Sequence, residues 1–417
     1  MSVNFFKNPL IEFSQEEELF RESVLDFASK NISPVWEAMD QASSERAVVH
    51  KDMISKLGQQ GLLALMCSPK HGGQGATETM ATIAIEELAY ADPSVATAVY
   101  TLLNIGWPFI LEMYAKEEVS GTIIESVSRG EAFFGIASTE SQGGSDIANL
   151  KTRAYQEGNS FSISGTKSFI SGVNEVFNLS WGGGWLLLAR TGGEGYKGIS
   201  AFAAIARENG KEKAGLTHSL FHGAGRHALS TGSITFDKFV LPKSNLVGQE
   251  GKGFYVAMEG FNCARILVAA ACVGATRWLL EKAAEWIKER EIGGKRLSSY
   301  QSVAFKFAEL AGKYEAARMM VYRAAKLFDK IYIAKDAVFS KKELNGPVAL
   351  AKMWGPQVGL EVAQEVMKWY GAASFVSSHP VQRSMLGLLS YVVGAEGAQN
   401  VMQHIVAREL LGGDYIR

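Results

Sequence analysis

The sequence lacks the features of a disulfide-stabilised, membrane-spanning or nucleic-acid-binding protein. Its three cysteines, Cys67, Cys263 and Cys272, have no paired spacing and lie in apolar runs, so we expect reduced core residues. The formal net charge is −1, which argues against binding driven by phosphate neutralisation. The longest apolar run, Ile266–Gly274, follows Arg265 directly and is too short to span a bilayer.

Targeting segments and several short catalytic motifs are also missing. The first twenty residues have no basic segment followed by an apolar one, so we expect no secretory signal and a soluble, intracellular protein, most simply cytoplasmic. The chain contains no P-loop, no CxxC pair and no GxSxG elbow. No internal repeat or low-complexity segment is visible.

What the sequence does contain is enough apolar material for a large ordered core. The chain has 417 residues, of which 47% are hydrophobic and 20% charged. Those values predict a folded protein of roughly two to three domains, at about 150 residues for each domain.

The pattern of apolar residues changes twice along the chain. Residues 11–133 predict helices: Ser14 and Glu17 form a capping box, and apolar residues then recur at helical spacing. Around residues 134–246 the pattern becomes short β runs separated by Gly, Asn and Lys, which suggests a small antiparallel barrel or sandwich. From Gly253 onward it is helical again, and Gly412 stops the last helix. The predicted helices of both regions are Met53–Leu65 (broken at Gly61), Thr77–Tyr90, Ser94–Tyr114, Glu118–Ser128, one beginning at Gly253, Trp278–Arg290, Ser302–Asp329, Asn345–Tyr370, Pro380–Val393 and Gln399–Leu411.

This order predicts an α+β multidomain protein that is mainly α. We expect an N-terminal helical domain over residues 1–133, a middle antiparallel β-barrel or sandwich domain over 134–250, and a C-terminal four-helix bundle over 251–417.

Two motifs match known patterns by spacing but lack the secondary structure that those patterns require. Gly223–Ala228 matches the dinucleotide pattern GxGxxA, but it lies between β runs without a strand–turn–helix setting. His218 and His222 have the spacing of helical metal ligands, but the local pattern is not helical and no third ligand follows. We therefore expect neither a Rossmann site nor a metal.

The stretch from Ile136 to Gly172 is a stronger candidate. It opens with the glycine-containing turn Thr139–Asp146, whose backbone could approach a ligand closely, and the hydroxyls of Thr139, Ser145 and Ser171 could donate to a polar ring or a phosphate. From the residues alone, an ordinary surface turn between two strands is the favoured interpretation.

Glu396 is the second candidate. It precedes the last helix in an apolar setting, where the helix dipole favours its anion and burial favours the neutral acid, a balance that suits a general base. A helix-capping carboxylate is the open alternative. Arg265, which interrupts an apolar helical stripe, could likewise be an arginine whose stem passes the core to reach solvent.

Taken together, these stretches resemble the acyl-CoA dehydrogenase family over nearly the whole chain. The motifs are the turn Ala137–Asp146, the Pro69–Gly75 loop, the segment from Phe236 to Phe254, Arg265, and the ending Ile405–Leu411. The resemblance implies the helical, β and four-helix-bundle domains in that order. It also implies FAD, with its ring between the β domain and the C-terminal helices.

The resemblance assigns residues to three roles. It makes Glu396 the catalytic base. Some members of the family carry the base immediately before the conserved arginine instead, but that position is Ala264 here, which cannot act as a base. Phe169 would cover the flavin where the family usually has Trp, and Ser171 would reach N5 where it usually has Thr. The implied FAD-binding residues are Ile136, Ser138, Thr139, Gly144, Ser145, Phe169, Ser171, Arg290, Gln301, Gly371, Ala398 and Asn400. The implied substrate-binding residues are Ser145, Asn262, Arg265, Glu396 and Gly397.

The implied reaction is α,β-dehydrogenation of an acyl-CoA to the 2-enoyl-CoA, as in fatty-acid β-oxidation, with hydride passing to flavin N5. An electron-transfer flavoprotein would be the electron acceptor, and a homodimer or homotetramer the assembly. Two rivals remain: a flavin monooxygenase on the same fold, and an acyl-CoA-binding subunit without catalysis.

The chain departs from the family around the adenosine half of FAD and the loop leading to the base. Gly293 stands where a Phe is usual, Tyr370–Ser374 replaces a Gly-Gly-x-Gly turn, and Lys368 replaces a Gln. Leu386-Gly387 stands for an Arg-Asp, and Ala398 replaces a Thr. These changes suggest a divergent acyl group, branched or cyclic.

Overall fold

The structure is a computed structural model that describes residues 13–41 and 51–414. The prediction of no secretory signal falls partly on residues 1–12, which lie outside the described residues. The helices of the described residues are α1 Gln15–Asn31, α2 Trp36–Gln41, α3 Lys51–Gln59, α4 Glu78–Ala91, α5 Ala96–Tyr114, α6 Glu117–Ser128, α7 Val173–Asn178, α8 Gly253–Glu289, α9 Gln301–Phe328, α10 Asn345–Tyr370, α11 Pro380–Val393 and α12 Gln399–Leu411.

The strands of the described residues are β1 Ala132–Ala137, β2 Arg153–Glu157, β3 Ser160–Ser171, β4 Gly182–Arg190, β5 Ile199–Glu208, β6 Lys211–Glu212, β7 Leu216–Leu220, β8 Thr231–Pro242, β9 Leu246–Val247, β10 Glu291–Ile292 and β11 Lys295–Arg296. They form one mixed sheet and one small hairpin. The sheet order is β6-β5-β4-β2-β3-β8-β7, with β1 pairing parallel to β4 and β9 pairing with β5, while β10 and β11 form the hairpin.

Local signals set most helix ends where the sequence predicts them. The capping box is present: Ser14 Oγ accepts from the Glu17 N–H, and the Glu17 carboxylate accepts from the Ser14 N–H. Pro380 occupies the first turn of α11, and Gly412 ends α12. The predicted helix over Met53–Leu65 is shorter than expected, because α3 ends at Gln59 before Gly61 takes a φ of +72°.

Strand β4 pairs with β1, β2 and β5, and every one of its residues is buried. Its glycines allow its neighbours to approach: a Cβ on Gly183 would lie 2.0 Å from the Phe133 carbonyl oxygen of β1, and one on Gly184 would lie 1.9 Å from that of Ala204 in β5. The run Gly182–Arg190 is therefore buried on both faces, which explains its continuous apolar sequence.

Helix α8 is one continuous element, whereas the sequence pattern predicts a separate helix over Trp278–Arg290. Gly274 does not interrupt it; the missing Cβ lets the helix pack closely on α4, since a Cβ there would lie 2.1 Å from the Glu86 carbonyl oxygen. By length and apolarity alone α8 could cross a membrane. However, 89% of its most apolar window is buried within the protein, as is usual for a core helix.

The described residues form two compact units. One contains residues 13–41, 78–98 and 265–414, and the other contains residues 51–77 and 99–264. In the first unit, α10 packs on α9, α11 and α12. Buried ion pairs also join α4 to α8 and α9: Arg277 binds Glu87 at 2.5 Å and Arg318 binds Glu86 at 2.8 Å. The second unit is built around the sheet. The order helices, sheet, helices confirms the predicted fold class.

Candidate active site

The turn after β1 is held by a buried carboxylate. Glu140 is 4% exposed, and it accepts from the N–H groups of Lys151 at 2.6 Å and Thr152 at 2.8 Å. The ammonium of Lys167, in β3, donates to the same carboxylate at 2.9 Å. These bonds hold Glu140 in place, so the exposed segment that follows it, up to Asp146, is anchored at its first end.

The pKa values of Glu140 and Lys167 show that both groups are charged although both are buried. Burial by itself would raise the pKa of Glu140, but the Lys167 ammonium and the hydrogen bonds from Thr152 and Lys151 lower it to about 2. Burial lowers the pKa of Lys167 to about 8, against the attraction of Glu140. Both groups are charged at neutral pH, so the pair is a buried ion pair completed by hydrogen bonds.

Strand β3 lies against the turn through two further hydrogen bonds. Lys167 Nζ donates to the carbonyl oxygen of Ser138 at 3.0 Å, and the Ser168 N–H donates to that of Thr139 at 2.9 Å. The structure thereby brings the predicted residues at 136–145 next to the predicted residues at 169 and 171.

Phe169 has an unusual conformation for a bulky residue. Its φ is +59°, it lies at a register shift of the β3–β8 pair, and its side chain is 66% exposed beside Phe221. Left-handed backbone costs a residue with a Cβ roughly 1 kcal/mol or more, so the surrounding sheet must impose it. The outcome is an aromatic face presented to solvent rather than to the core.

The neighbouring predicted residues include three with hydroxyl side chains, Thr139, Ser145 and Ser171. A Cβ on Gly144 would lie 3.3 Å from Thr139 Oγ1, so a larger residue there would be in tight contact with this hydroxyl. Ser145 is exposed, Ile136 is half-buried at the end of β1, and the Ser171 carbonyl accepts from Trp185 Nε1 at 3.0 Å. An exposed aromatic ring, on a strand that is hydrogen-bonded to a turn with glycine and hydroxyl residues, fits a planar, polar ring system such as flavin.

In the other unit, Glu396 lies on a tight turn between α11 and α12. Ala395 and Glu396 both have left-handed φ angles, +53° and +47°, and Gly397 follows with +112°. Arg265 Nε donates to the Glu396 carbonyl oxygen at 2.8 Å. Burial lowers the pKa of Arg265 to about 10 against the attraction of Glu396, so the guanidinium remains charged at neutral pH. The structure thus brings Arg265, Glu396 and Gly397 together.

The remaining predicted residues have several positions. Asn262 is buried on α8, one turn before Arg265. Arg290 follows α8 with its guanidinium 5.9 Å from the Trp286 ring, and the β10–β11 hairpin leads from it to the exposed Gln301 at the start of α9. Trp286 stacks on Tyr370, the residue before the exposed Gly371. Ala398 and Asn400 lie at the start of α12.

The GxGxxA match and His218 both lie outside helices in the structure. Gly223–Ala228 is a loop between β7 and β8, and His218 lies in β7 with its ring stacked 4.1 Å from that of Phe177. Within residues 13–41 and 51–414, no group of three or more His, Cys, Asp or Glu side chains is arranged to hold a metal ion. The three cysteines are free and buried, as predicted.

Sequence reasoning missed the two buried lysines of the site. Lys167 holds the turn after β1, and Lys352 of α10 donates to three carbonyl oxygens around Glu396. A lysine inside an apolar run was the available signal in VALAKMWG, since Lys is almost never buried without partners. Glu140 enters the sequence prediction only as a residue of the turn Thr139–Asp146.

Comparison with known proteins identifies the family. Three family models match in chain order: the acyl-CoA dehydrogenase N-terminal domain over residues 14–131, the middle domain over 135–239 and the C-terminal domain over 251–411. The chain belongs to the acyl-CoA dehydrogenase family. It is 28% identical over 404 residues to an acyl-CoA dehydrogenase of Bacillus subtilis, covering 96% of this chain and 99% of that one.

Solved structures agree with this family membership. A chain from structural work on an electron-transferring flavoprotein of Acidaminococcus fermentans has a TM-score of 0.85 at 27% identity, covering 96% of this chain and 99% of that one. A glutaryl-CoA dehydrogenase of Mycobacterium smegmatis, solved in complex with FADH2, has the same fold, with a TM-score of 0.83 at 21% identity and 97% coverage of each chain.

These findings confirm the predicted class of this acyl-CoA dehydrogenase family member, an oxidoreductase acting on acyl-CoA and a flavoprotein.

Proposed function

We propose that this acyl-CoA dehydrogenase carries out FAD-dependent α,β-dehydrogenation of an acyl-CoA thioester to the 2-enoyl-CoA, with Glu396 as the base. The observation that carries the proposal is the turn of Glu396: a half-buried carboxylate on two consecutive left-handed residues, whose backbone carbonyl is bound by the buried Arg265. Strained backbone held by buried polar groups is typical of functional sites.

The carboxylate of Glu396 would remove the proton from the carbon next to the thioester carbonyl. Removing that proton needs a base within hydrogen-bond reach and stabilisation of the negative charge that develops on the thioester. Bound FAD would accept the hydride that leaves the β-carbon, which is chemistry that no side chain supplies. The proton then resides on Glu396, and the double bond forms between the α- and β-carbons.

The residues that would hold the isoalloxazine ring are Thr139, Ser145, Phe169 and Ser171, with Ile136, Ser138 and Gly144 completing the wall. Their exposed aromatic face and polar groups support this assignment. Arg290, Gln301, Gly371, Ala398 and Asn400 would contact other parts of FAD. Ser145, Asn262, Arg265 and Gly397 would contact the thioester substrate.

The finer features of the proposal follow from the same resemblance. The departures around Lys368–Ala398 support a branched or cyclic acyl group. We assign an electron-transfer flavoprotein as the electron acceptor, a homodimer or homotetramer as the assembly, the cytoplasm as the location, and β-oxidation-type degradation as the pathway. The three domains, with bounds 1–133, 134–250 and 251–417, belong to the same proposal.

Anaerobic titration tests the reaction. The purified, FAD-loaded protein is titrated with butyryl-, isobutyryl-, octanoyl-, cyclohexanecarboxyl- and glutaryl-CoA while the flavin absorbance near 450 nm is followed. We expect at least one acyl-CoA to bleach the flavin and give the matching 2-enoyl-CoA. If none bleaches it and a separate aerobic assay shows NADH-linked oxygen consumption, the protein is a flavin monooxygenase. Protein that stays colourless with excess FAD would be a binding subunit.

A variant tests the base. Glu396→Gln keeps the size and the polar character of the side chain but cannot accept the α-proton, so it should bind FAD and acyl-CoA yet lose flavin reduction by about 100-fold or more. Glu22→Gln, at an exposed position of α1, is the matched control and should behave as wild type. Rapid bleaching by Glu396→Gln would mean that the base lies elsewhere.

A further inference from the structure

Lys352 is a fully buried lysine in the C-terminal helical region. It lies in α10 among buried apolar residues, including Val348, Ala349 and Ala351, and its own exposure is 0%. An ammonium so placed is strongly disfavoured unless each of its protons has an acceptor. Its partners therefore show what the residue does.

All three partners are backbone carbonyls of one short segment. Lys352 Nζ donates to the carbonyl oxygens of Tyr391 at 2.6 Å, Gly394 at 3.2 Å and Gly397 at 2.7 Å. Tyr391 lies in the last turn of α11, Gly394 is its C-cap and Gly397 directly follows Glu396. An ammonium has three N–H donors, so these bonds use them all.

The segment needs such support because it is strained. Ala395 and Glu396 are consecutive non-glycine residues with positive φ, and each costs of order 1 kcal/mol or more. Arg265 Nε holds the Glu396 carbonyl, between the two carbonyls that Lys352 holds at residues 394 and 397. Two buried cations therefore bind the carbonyls on both sides of the base and of the base itself.

The charge of Lys352 also acts on the base. The titratable and charged groups that face it are Cys272 and Arg265 from α8 and Glu396 from the turn. Burial lowers the pKa of Lys352 to about 8, while Cys272 and Glu396 raise it and Arg265 lowers it. The residue is thus a cation at neutral pH, and its attraction for Glu396 favours the ionised carboxylate that a base must be.

We propose that Lys352 is a positioning residue of the active site, which fixes the Gly394–Gly397 turn through its three carbonyl hydrogen bonds and places a positive charge beside Glu396. It acts through Glu396 and does not contact the reacting atoms. This inference rests on the proposed function, in which Glu396 is the base. If Lys352 only ended helix α11, its hydrogen bonds to the carbonyls would be needed, but its positive charge would not.

The test uses the FAD-loaded protein and the acyl-CoA that bleaches the wild-type flavin fastest. Lys352→Met removes the charge and the donors at similar length, and Lys352→Gln keeps an amide donor without the charge. Lys30→Met, at an exposed ion pair with Asp26 in α1, is the control. The readouts are FAD content, thermal midpoint, acyl-CoA affinity and the rate of flavin reduction from pH 5.5 to 9.

For Lys352→Met we expect flavin reduction to slow by about 10- to 100-fold, with FAD content and acyl-CoA affinity close to wild type. The pH at which flavin reduction is half-maximal should rise by about one unit, because Glu396 loses a neighbouring cation. Lys352→Gln should show the same pH shift with a smaller loss of rate. If Lys352→Met does not fold, Lys352→Gln alone tests the proposal.

Two results would overturn the inference. One is a wild-type rate and pH profile in both variants. The other is a loss of rate that only follows loss of FAD or thermal stability, with an unchanged pH profile, which is the behaviour of a helix-ending residue. The Glu396→Gln variant separates this failure from failure of the proposed function: if it reduces flavin rapidly, the base is wrong, whatever Lys352 does.

Discussion

The ammonium of Lys352 lies 2.7 Å from the carbonyl oxygen of Gly397, the residue directly after Glu396. The second unit has the same arrangement: the ammonium of Lys167 lies 3.0 Å from the carbonyl oxygen of Ser138, at the start of the turn predicted to line the flavin. Both lysines are fully buried, and both have a pKa of about 8. Two segments with predicted site residues are thus each held through their backbone by a buried cation.

The pKa of Lys352 predicts a specific dependence of stability on pH. Between the folded value of about 8 and the ordinary value of 10.5, the unfolded chain binds one more proton than the folded chain. The free energy of unfolding therefore rises with pH in this window for wild type relative to Lys352→Met, by up to about 3 kcal/mol. Urea unfolding of both proteins from pH 7 to 10.5 measures the difference, which cancels other titrating groups. A difference that does not change with pH would contradict the prediction. For the control Lys30→Met, the difference in unfolding free energy from wild type should not change with pH.

Replacing Glu140 should destabilise the second unit. Glu140→Gln leaves Lys167 buried without a counter-charge, so we expect a loss of about 3 kcal/mol in the free energy of unfolding and weaker FAD retention. Because the pKa of Glu140 is lowered from 4.5 to about 2, its contribution is complete above about pH 4.5 and is lost as the pH falls toward 2. The gap to wild type should narrow over that range in chemical unfolding. Glu157→Gln, at an exposed end of β2, is the control, and equal stability of both variants at pH 7 would refute the prediction.

Phe169 should contribute to cofactor binding rather than to stability. In Phe169→Gly the left-handed backbone is relieved and an exposed ring is lost, so the stability of the apoprotein should stay within about 1 kcal/mol of wild type. FAD affinity, measured by fluorescence titration of the apoprotein, should fall by about tenfold. Tyr155→Gly changes another exposed aromatic residue, in β2, and should leave FAD affinity unchanged. Wild-type FAD affinity in Phe169→Gly would remove this residue from the flavin wall.

The turn of Glu396 should respond oppositely to two small substitutions. In Gly397→Ala the φ of +112° becomes strained and the new Cβ would lie 2.7 Å from Met402 Cε, so we expect a loss of about 1–3 kcal/mol and slower flavin reduction. In Ala395→Gly the left-handed φ is relieved, so the thermal midpoint should be equal or higher. Stopped-flow reduction and thermal unfolding measure both. Equal behaviour of the two variants would mean that the turn relaxes freely.

Much of the fold follows from rules that act over a few residues. Helices α10, α11 and α12 have the bounds that periodicity, Pro380 and Gly412 predict, because caps and apolar spacing are local properties. The division of α8 was wrong for the same reason. The glycine at 274 weakens a helix locally, but the carbonyl of Glu86 on another helix occupies the space that its missing side chain leaves.

The candidate site divides in the same way. The sequence by itself determined the family motifs, including the turn Thr139–Asp146 and the pair Glu396-Gly397, because these residues are contiguous. Only the tertiary structure decided that Lys167 and Lys352 hold those segments. The carbonyls that Lys352 binds lie about forty residues further along the chain. A backbone carbonyl is common to every residue type, so no sequence pattern marks it as a partner; the packing of α10 against α11 and the following turn selects these three.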